Sequence, residues 1–330
     1  MSAIGTNTLT SVTRHYVMPV IMDNVYSSNV LLYRWYKANK KIIQGGTQIE
    51  VPQLYRRFAA GGTYRGYEVL QTTPTDPVKN LVFEWKQHYV PWAIDGLTLI
   101  QNESPLAIAS IVALQSQQAW MEMAENLAAG LFQDASSGDD KDLDGLSGAV
   151  GNASVGDGSY GGIARSSNSW HNSQIDAATG TLAFSLLQSW FGNGTVGGQH
   201  YSILLSRQEQ YNRYIALHTA SGSGYTQSVQ RSPLGHDEVL AAAGFTNATF
   251  NNTPWVVDSH VDDGPNASNS KIYGLNENVW NVVVSPRADF YMEDWQKPVN
   301  QDAYVSMLLW AGNVVCQSAR LNGALTNVSA

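Results

Sequence analysis

The chain has 330 residues, 43% of them hydrophobic, which is enough for two or three compact units and too apolar for wholesale disorder. Charged residues make up only 14%, against about 25% in ordinary globular domains, so much of the surface is expected to lie against neighbours. The opening Met1-Ser2-Ala3-Ile4-Gly5-Thr6 lacks a signal-peptide pattern, no run nears about 18 apolar residues, and the single cysteine, Cys316, excludes an internal disulfide framework.

The net charge of −8 is unevenly spread. Residues 1–45 carry Arg14, Arg34, Lys37, Lys40 and Lys41 against Asp23 alone. Residues 99–145 hold Lys141 among acids that include Glu122, Glu125, Asp139, Asp140 and Asp142. A basic arm on an acidic body points to an anionic or acidic neighbour for the arm.

In chain order, the aromatic, basic stretch Leu31–Lys37 reads as a short helix in an extended arm that ends at Gly45-Gly46. Residues 47–55 alternate, with Thr47, Ile49, Val51, Gln53 and Tyr55 on one face. Residues 81–90 alternate too, with Leu81, Phe83, Trp85 and Tyr89 on one face. Between them lies a segment punctuated by Gly and Pro. Together they read as a long two-stranded arm, and a lone hairpin is marginal in water, so it is expected to lie on another subunit.

Ser104-Pro105 opens the clearest helix, with Ser as N-cap and Pro at the first position. Ile108, Val112, Ala119, Met123, Leu127 and Leu131 recur at helical spacing, so one helix over 105–133 is expected, packed on Val305, Met307 and Leu309 of a late strand. Residues 134–180 read as loops with short elements. A helix follows near 182–190, then a strand over 200–205. Ser206-Arg207-Gln208-Glu209 has the form of a capping box. Strands are expected at 253–260, 271–275, 279–285, 303–311 and 314–319, the last two joined by a turn at Gly312-Asn313. This order predicts an α+β fold with mostly antiparallel sheets.

Motifs for chemistry are sparse. Gly192-Asn193-Gly194-Thr195-Val196-Gly197 matches a dinucleotide fingerprint, but a helix precedes it and a strand follows, the reverse of the required context. Asp140, Asp142 and Asp144 have the spacing of half a calcium loop, and Gly151 stands where the closing Glu would be. A solvated acidic turn is the preferred reading. The histidines show no zinc spacing, and no cofactor is expected. Adjacent acids such as Asp237-Glu238, Asp262-Asp263 and Glu293-Asp294 leave a polysaccharide-active enzyme as one alternative. A calcium-dependent binding module at the Asp140 loop is the other.

Several local phrases, in order, resemble one family. They are Leu143-Asp144-Gly145-Leu146, then Tyr160-Gly161-Gly162-Ile163-Ala164-Arg165 with Trp170, and Leu205-Ser206 through Tyr211-Asn212-Arg213-Tyr214. Phe250 through Asp258, Ile272-Tyr273-Gly274-Leu275-Asn276 and Gly312 through Gly323 follow. With the element order, they resemble the major capsid proteins of tailed bacteriophages, of the Hong Kong 97-like fold.

The resemblance implies an N-terminal arm at 1–46 and an E-loop hairpin at 47–98. It implies a P domain with the spine helix at 99–135 and 286–330, and an A domain at 136–285. It implies no enzyme activity and a homo-oligomer of pentamers and hexamers forming an icosahedral head around double-stranded DNA. Synthesis in the bacterial host cytoplasm and residence in the virion capsid follow from it. Portal and decoration proteins would be further partners, with no membrane involved. Because the basic arm starts at once, a separate scaffolding protein, or none, is expected. Interface candidates are Arg34, Lys37, Lys40 and Lys41 on the arm, with Arg56, Arg57, Tyr64, Arg65 and Tyr67 on the hairpin. For the arm, pairing with acids of an adjacent copy is preferred over contact with DNA phosphates.

Overall fold

The computed structural model describes residues 30–58, 61–70, 76–102, 111–134, 141–155, 158–220, 248–261 and 270–329. The first half of the expected arm, the Ser104-Pro105 cap, Asp139, Asp140, and the acid pairs Asp237-Glu238 and Asp262-Asp263 lie outside them.

Two sheets and one long helix organise the chain. Helix α1 (Val30–Ala38) leads into β1 (Lys40–Ile42), and β2 (Gln48–Leu54) pairs with β3 (Val78–Glu84) as an antiparallel hairpin. Strand β4 (Lys86–Asp95) follows, then α2 (Gly96–Asn102) and the spine helix α3 (Ile111–Phe132). A short helix α4 (Leu146–Ala149), the small pair β5 (Ser159–Tyr160) and β6 (Ile163–Ala164), and β7 (Gln174–Thr181) come next. Then follow α5 (Phe184–Gly194), β8 (Ile203–Ser206), α6 (Gln208–Ala220), β9 (Ala248–Phe250), β10 (Thr253–Val257) and β11 (Ser270–Leu275). Strands β12 (Trp280–Val284), β13 (Tyr291–Met292), β14 (Ala303–Cys316) and β15 (Gly323–Ser329) complete the set.

The six-stranded sheet runs β7-β15-β11-β8-β10-β9. The five-stranded sheet is built on β14, which pairs with β4 along one edge and with β13 and then β12 along the other; β1 adds to β12 in parallel. Strand β14 is thus one 14-residue strand, not two strands joined by a hairpin turn. Gly312 is there because a Cβ would overlap the Val283 carbonyl oxygen and crowd the Trp310 ring. Asn313 is fully buried and its amide is used in hydrogen bonds, so neither residue turns the chain.

The alternating stretch 81–90 also divides. Leu81 and Phe83 face inward in the hairpin, but the phase flips at Trp85, and Lys86, Val90, Trp92 and Ile94 face inward in β4. Tyr89 therefore points out, on the opposite side from its expected face. The flip separates two jobs, since β3 serves the hairpin and β4 serves the five-stranded sheet.

The spine helix buries Ala119, Met123, Ala124, Leu127, Ala128 and Leu131 against β4 and β14. Its strand partners are the inward side chains of β14, Leu308 and Trp310, rather than Val305, Met307 and Leu309, which take the other face. The main core continues through α1, where Trp35 stacks on Trp280 with ring centroids 4.7 Å apart. A second core lies on the six-stranded sheet around Trp190, Tyr201, Tyr214 and Trp255. No helix among the described residues is long and apolar enough to cross a membrane.

Candidate subunit interface

The base of the hairpin is anchored to its own chain. The Val82 N–H donates to the Gly161 carbonyl at 3.0 Å, Phe83 packs edge-on against Tyr160, and Tyr55 lies 5.3 Å from the Trp170 ring. Lys79 caps this contact by donating to Asn168 Oδ1 at 3.0 Å. Beyond that base the described side chains are open to water. Phe58 is 70% exposed, Tyr64 66%, and Tyr67 fully so, with Leu54, Val69 and Leu70 also exposed. Arg56 and Arg57 are exposed beside them, and the Arg65 N–H donates to Glu68 at 3.1 Å. Apolar side chains held out from the body with no core beneath them mark a contact surface.

A second uncovered surface is the outer face of the five-stranded sheet. Cross-strand register sets Leu309 opposite Tyr89, Met307 opposite Pro91 and Val305 opposite Ala93, while Tyr291 flanks Leu309 from the other edge. Tyr89 is 66% exposed and Tyr291 52%. Acids rim this face: Asp95 ends β4, Glu293 follows β13, and Asp302 precedes β14 with Lys297 bound to it at 2.8 Å.

The basic arm is only partly available. Arg34 pairs with Glu277 and Lys40 with Asp289, both within the chain. The Tyr36 hydroxyl accepts from the Trp310 indole. Lys37 and Lys41 remain exposed, Lys37 near the Tyr33 ring at 5.8 Å. Two of the four expected arm contacts are thus used to fix α1 and β1 onto the body.

The half calcium loop has a structural role where it is described. Asp144 accepts from Asn313 Nδ2 at 2.6 Å, and its own N–H donates to Asn313 Oδ1 at 3.2 Å. Asp142 lies close enough to His88 to oppose the lowering of that imidazole's pKa by burial. No group of three metal-ligating side chains occurs among the described residues. In the glycine-rich stretch, Gly192 and Gly194 belong to the last turn of α5, and Gly194 lies against the Tyr201 ring, where a Cβ would not fit. The expected capping box does not form as read. The Ser206 hydroxyl accepts the Trp255 indole N–H at 2.7 Å, and Glu209 accepts from Arg213 at 2.9 Å.

A buried polar network lies behind the hairpin base; the sequence phrases around Tyr160, Arg165, Cys316 and Asn322 contain its members but not their contacts. Arg165 donates to the Gly148 and Ala149 carbonyls, both at 2.7 Å, at the end of α4. Tyr160 accepts the Cys316 N–H at 3.0 Å, and Asn322 donates to Cys316 Sγ at 3.2 Å while accepting from the Trp280 indole at 2.9 Å. Burial pushes the Cys316 thiol up to about 12, so it behaves as a small apolar group and not a nucleophile.

No protein-family model and no curated protein sequence matches the chain. Among solved structures, it is similar to a chain of the cyanophage A-1(L) capsid asymmetric unit, with a TM-score of 0.68 at 14% identity over 96% of both chains. A native GTA particle capsid matches with a TM-score of 0.63 at 10% identity, over 90% of this chain and 91% of that one. The holo-SrpI encapsulin complex of Synechococcus elongatus PCC 7942 matches with 0.61 at 8% identity, over 100% of this chain and 97% of that one. Aligned over nearly the full length of such chains, this protein has the Hong Kong 97-like major capsid protein fold.

Proposed function

We propose that the chain is the major capsid protein of a tailed bacteriophage, self-assembling into pentamers and hexamers of an icosahedral head that encloses double-stranded DNA. One observation carries the reading: a hairpin is anchored at its base but presents Phe58, Tyr64 and Tyr67 to water. Such a tip is stable only when covered, and a second copy is the occupant every assembly supplies. The outer face of the five-stranded sheet suits it in chemistry. The tip offers Arg56, Arg57 and Arg65 against two acids, Glu68 and Asp76, and the sheet face is apolar with Asp95 and Glu293 at its rim.

In this reading residues 1–46 form the arm, with its helix bound to the body. The E-loop is the β2–β3 hairpin within 47–98. The spine helix at 99–135, β4 and residues 286–330 form the P domain. The A domain occupies 136–285, apart from β12, which pairs in the five-stranded sheet, and takes in β15 from the last stretch, which pairs with β7 and β11 in the six-stranded sheet. The protein acts through contacts, not catalysis. Its location is the virion, after synthesis in the host cytoplasm; portal and decoration proteins would join it there, and assembly would use a separate scaffolding protein or none.

Sedimentation of the purified full-length chain tests this. Megadalton particles containing nuclease-protected DNA, when isolated from the producing cell, are the expected result. A species that stays at about 36 kDa at every concentration would overturn it. Particles holding protein cargo and no nucleic acid would overturn the DNA part alone.

A further inference from the structure

The two edges of the β2–β3 hairpin are not alike. In an antiparallel pair, opposed residues alternate between exchanging both backbone hydrogen bonds and turning their backbone groups outward. The Tyr55 N–H donates to the Pro77 carbonyl at 3.0 Å, across the pair, and the Val82 N–H donates to the Gly161 carbonyl at 3.0 Å, away from it. Register sets Val82 opposite Glu50 and Asn80 opposite Pro52. The outward set is therefore Val78, Asn80, Val82 and Glu84 on β3, and Gln48, Glu50, Pro52 and Leu54 on β2.

The outer edge of β3 is taken up by the rest of the chain. Besides Val82 on Gly161, the Val78 N–H donates to Asp76 Oδ1 at 3.2 Å, and the Glu84 carbonyl accepts from Asn313 Nδ2 at 2.8 Å. Gly161 approaches this closely because it is glycine: its φ is +57°, and a Cβ there would stand 3.0 Å from Leu81 and Phe83. The outer edge of β2 has no strand beside it among the described residues. Pro52, in the middle of that edge, has no N–H to give, and its ring occupies the place where the N–H would meet an added strand. Glu50 is exposed and sets a charge on the same edge.

We propose that Pro52 guards this edge against a second copy of the chain: no strand of a neighbour runs its ladder past residue 52, so hairpins meet other copies through side chains and not by strand addition. A projecting hairpin with exposed apolar side chains is where such addition would start. Addition repeated from copy to copy builds open-ended fibres, whereas contacts through fixed surfaces can close. Only that purpose rests on the shell reading; the guard itself follows from the direction of the backbone at residue 52.

The test uses the purified full-length chain and two variants. Pro52→Val restores the N–H and suits a strand, and Pro52→Glu restores the N–H but adds a second charge beside Glu50. Pro52→Val should pass from solution into aggregates that bind thioflavin T, with the Glu50 amide protected from hydrogen exchange in them. Its melting temperature in dilute solution should stay within about 4 °C of the parent's, because Pro52 is exposed. Pro52→Glu should stay as soluble as the parent, and in the parent the Glu50 amide should exchange faster than that of Val51, which lies in the ladder. A Pro52→Val chain that stays soluble, two variants that aggregate alike, or a slowly exchanging Glu50 amide in the parent overturns the guard. Aggregation of Pro52→Val alone, beside a parent that forms no shells, supports the guard and overturns the shell reading, so the two fail separately.

Discussion

Asn313 and Asp144 hold each other from both ends: the amide of Asn313 donates to the Asp144 carboxylate at 2.6 Å, and the Asp144 N–H donates back at 3.2 Å. The same amide donates to the Glu84 carbonyl at 2.8 Å, where the hairpin hands over to β4. One side chain in the middle of β14 thus fixes the loop after the spine helix and the root of the hairpin together.

Replacing Asn313 with Leu should cost about 2–4 kcal/mol, because the Asp144 carboxylate and the Glu84 carbonyl lose a donor inside the protein. Asn313→Asp should be worse at neutral pH, since it sets a second carboxylate against Asp144. Denaturant unfolding checks both, and a loss in the Asp variant that shrinks as pH falls identifies charge repulsion as the cause.

The spine helix should not accept charge on its inner face. Met123 is fully buried in the main core, and Met123→Asp should cost about 4 kcal/mol or more. Loss of folded protein and of particles is expected; normal particles would contradict the packing of this helix on β4 and β14.

His171 is fully buried. Burial, followed by the Arg165 charge, lowers its pKa from 6.5 to about 4. The unfolded chain therefore takes the proton first, and stability falls as pH drops from about 6.5 toward 4, by up to about 3 kcal/mol. In His171→Gln this part of the acid slope should be missing, as read by unfolding free energies at pH 7, 5.5 and 4.5.

Among the described arm residues, Lys37 and Lys41 remain open for the inter-subunit or DNA contacts expected of it, because Arg34 and Lys40 are paired internally. We expect the Lys37→Ala, Lys41→Ala double variant to assemble poorly even without DNA, since pairing with acids of the adjacent copy is the favoured use. Empty shells that form normally, with a defect only in genome packaging, would assign these lysines to phosphate contacts instead.

Periodicity made the spine helix and the inward face of β2 legible, because each is set by neighbours close in sequence. What sequence reading missed depends on distant partners. Arg34 is paired with Glu277, 243 residues away, and nothing near Arg34 announces this. Gly312-Asn313 looks like a turn until Val283 and Asp144 are placed beside it. The phase flip at Trp85 arises because two adjacent strands serve different sheets. Strand β7, Gln174–Thr181, was hidden by its polar residues, since its place comes from parallel pairing with β15. His260 was one scattered histidine, its Glu125 partner 135 positions back.

The most direct test of the account is electron cryomicroscopy of the purified protein beside a Tyr67→Asp, Phe58→Asp variant. The parent should form closed icosahedral shells in which the hairpin tip of one copy covers Tyr89, Met307 and Tyr291 of the next. The variant should fold with unchanged thermal stability, because both side chains are exposed in the single chain, and should form no shells. A parent that remains a monomer, or a variant that assembles as well as the parent, would contradict it.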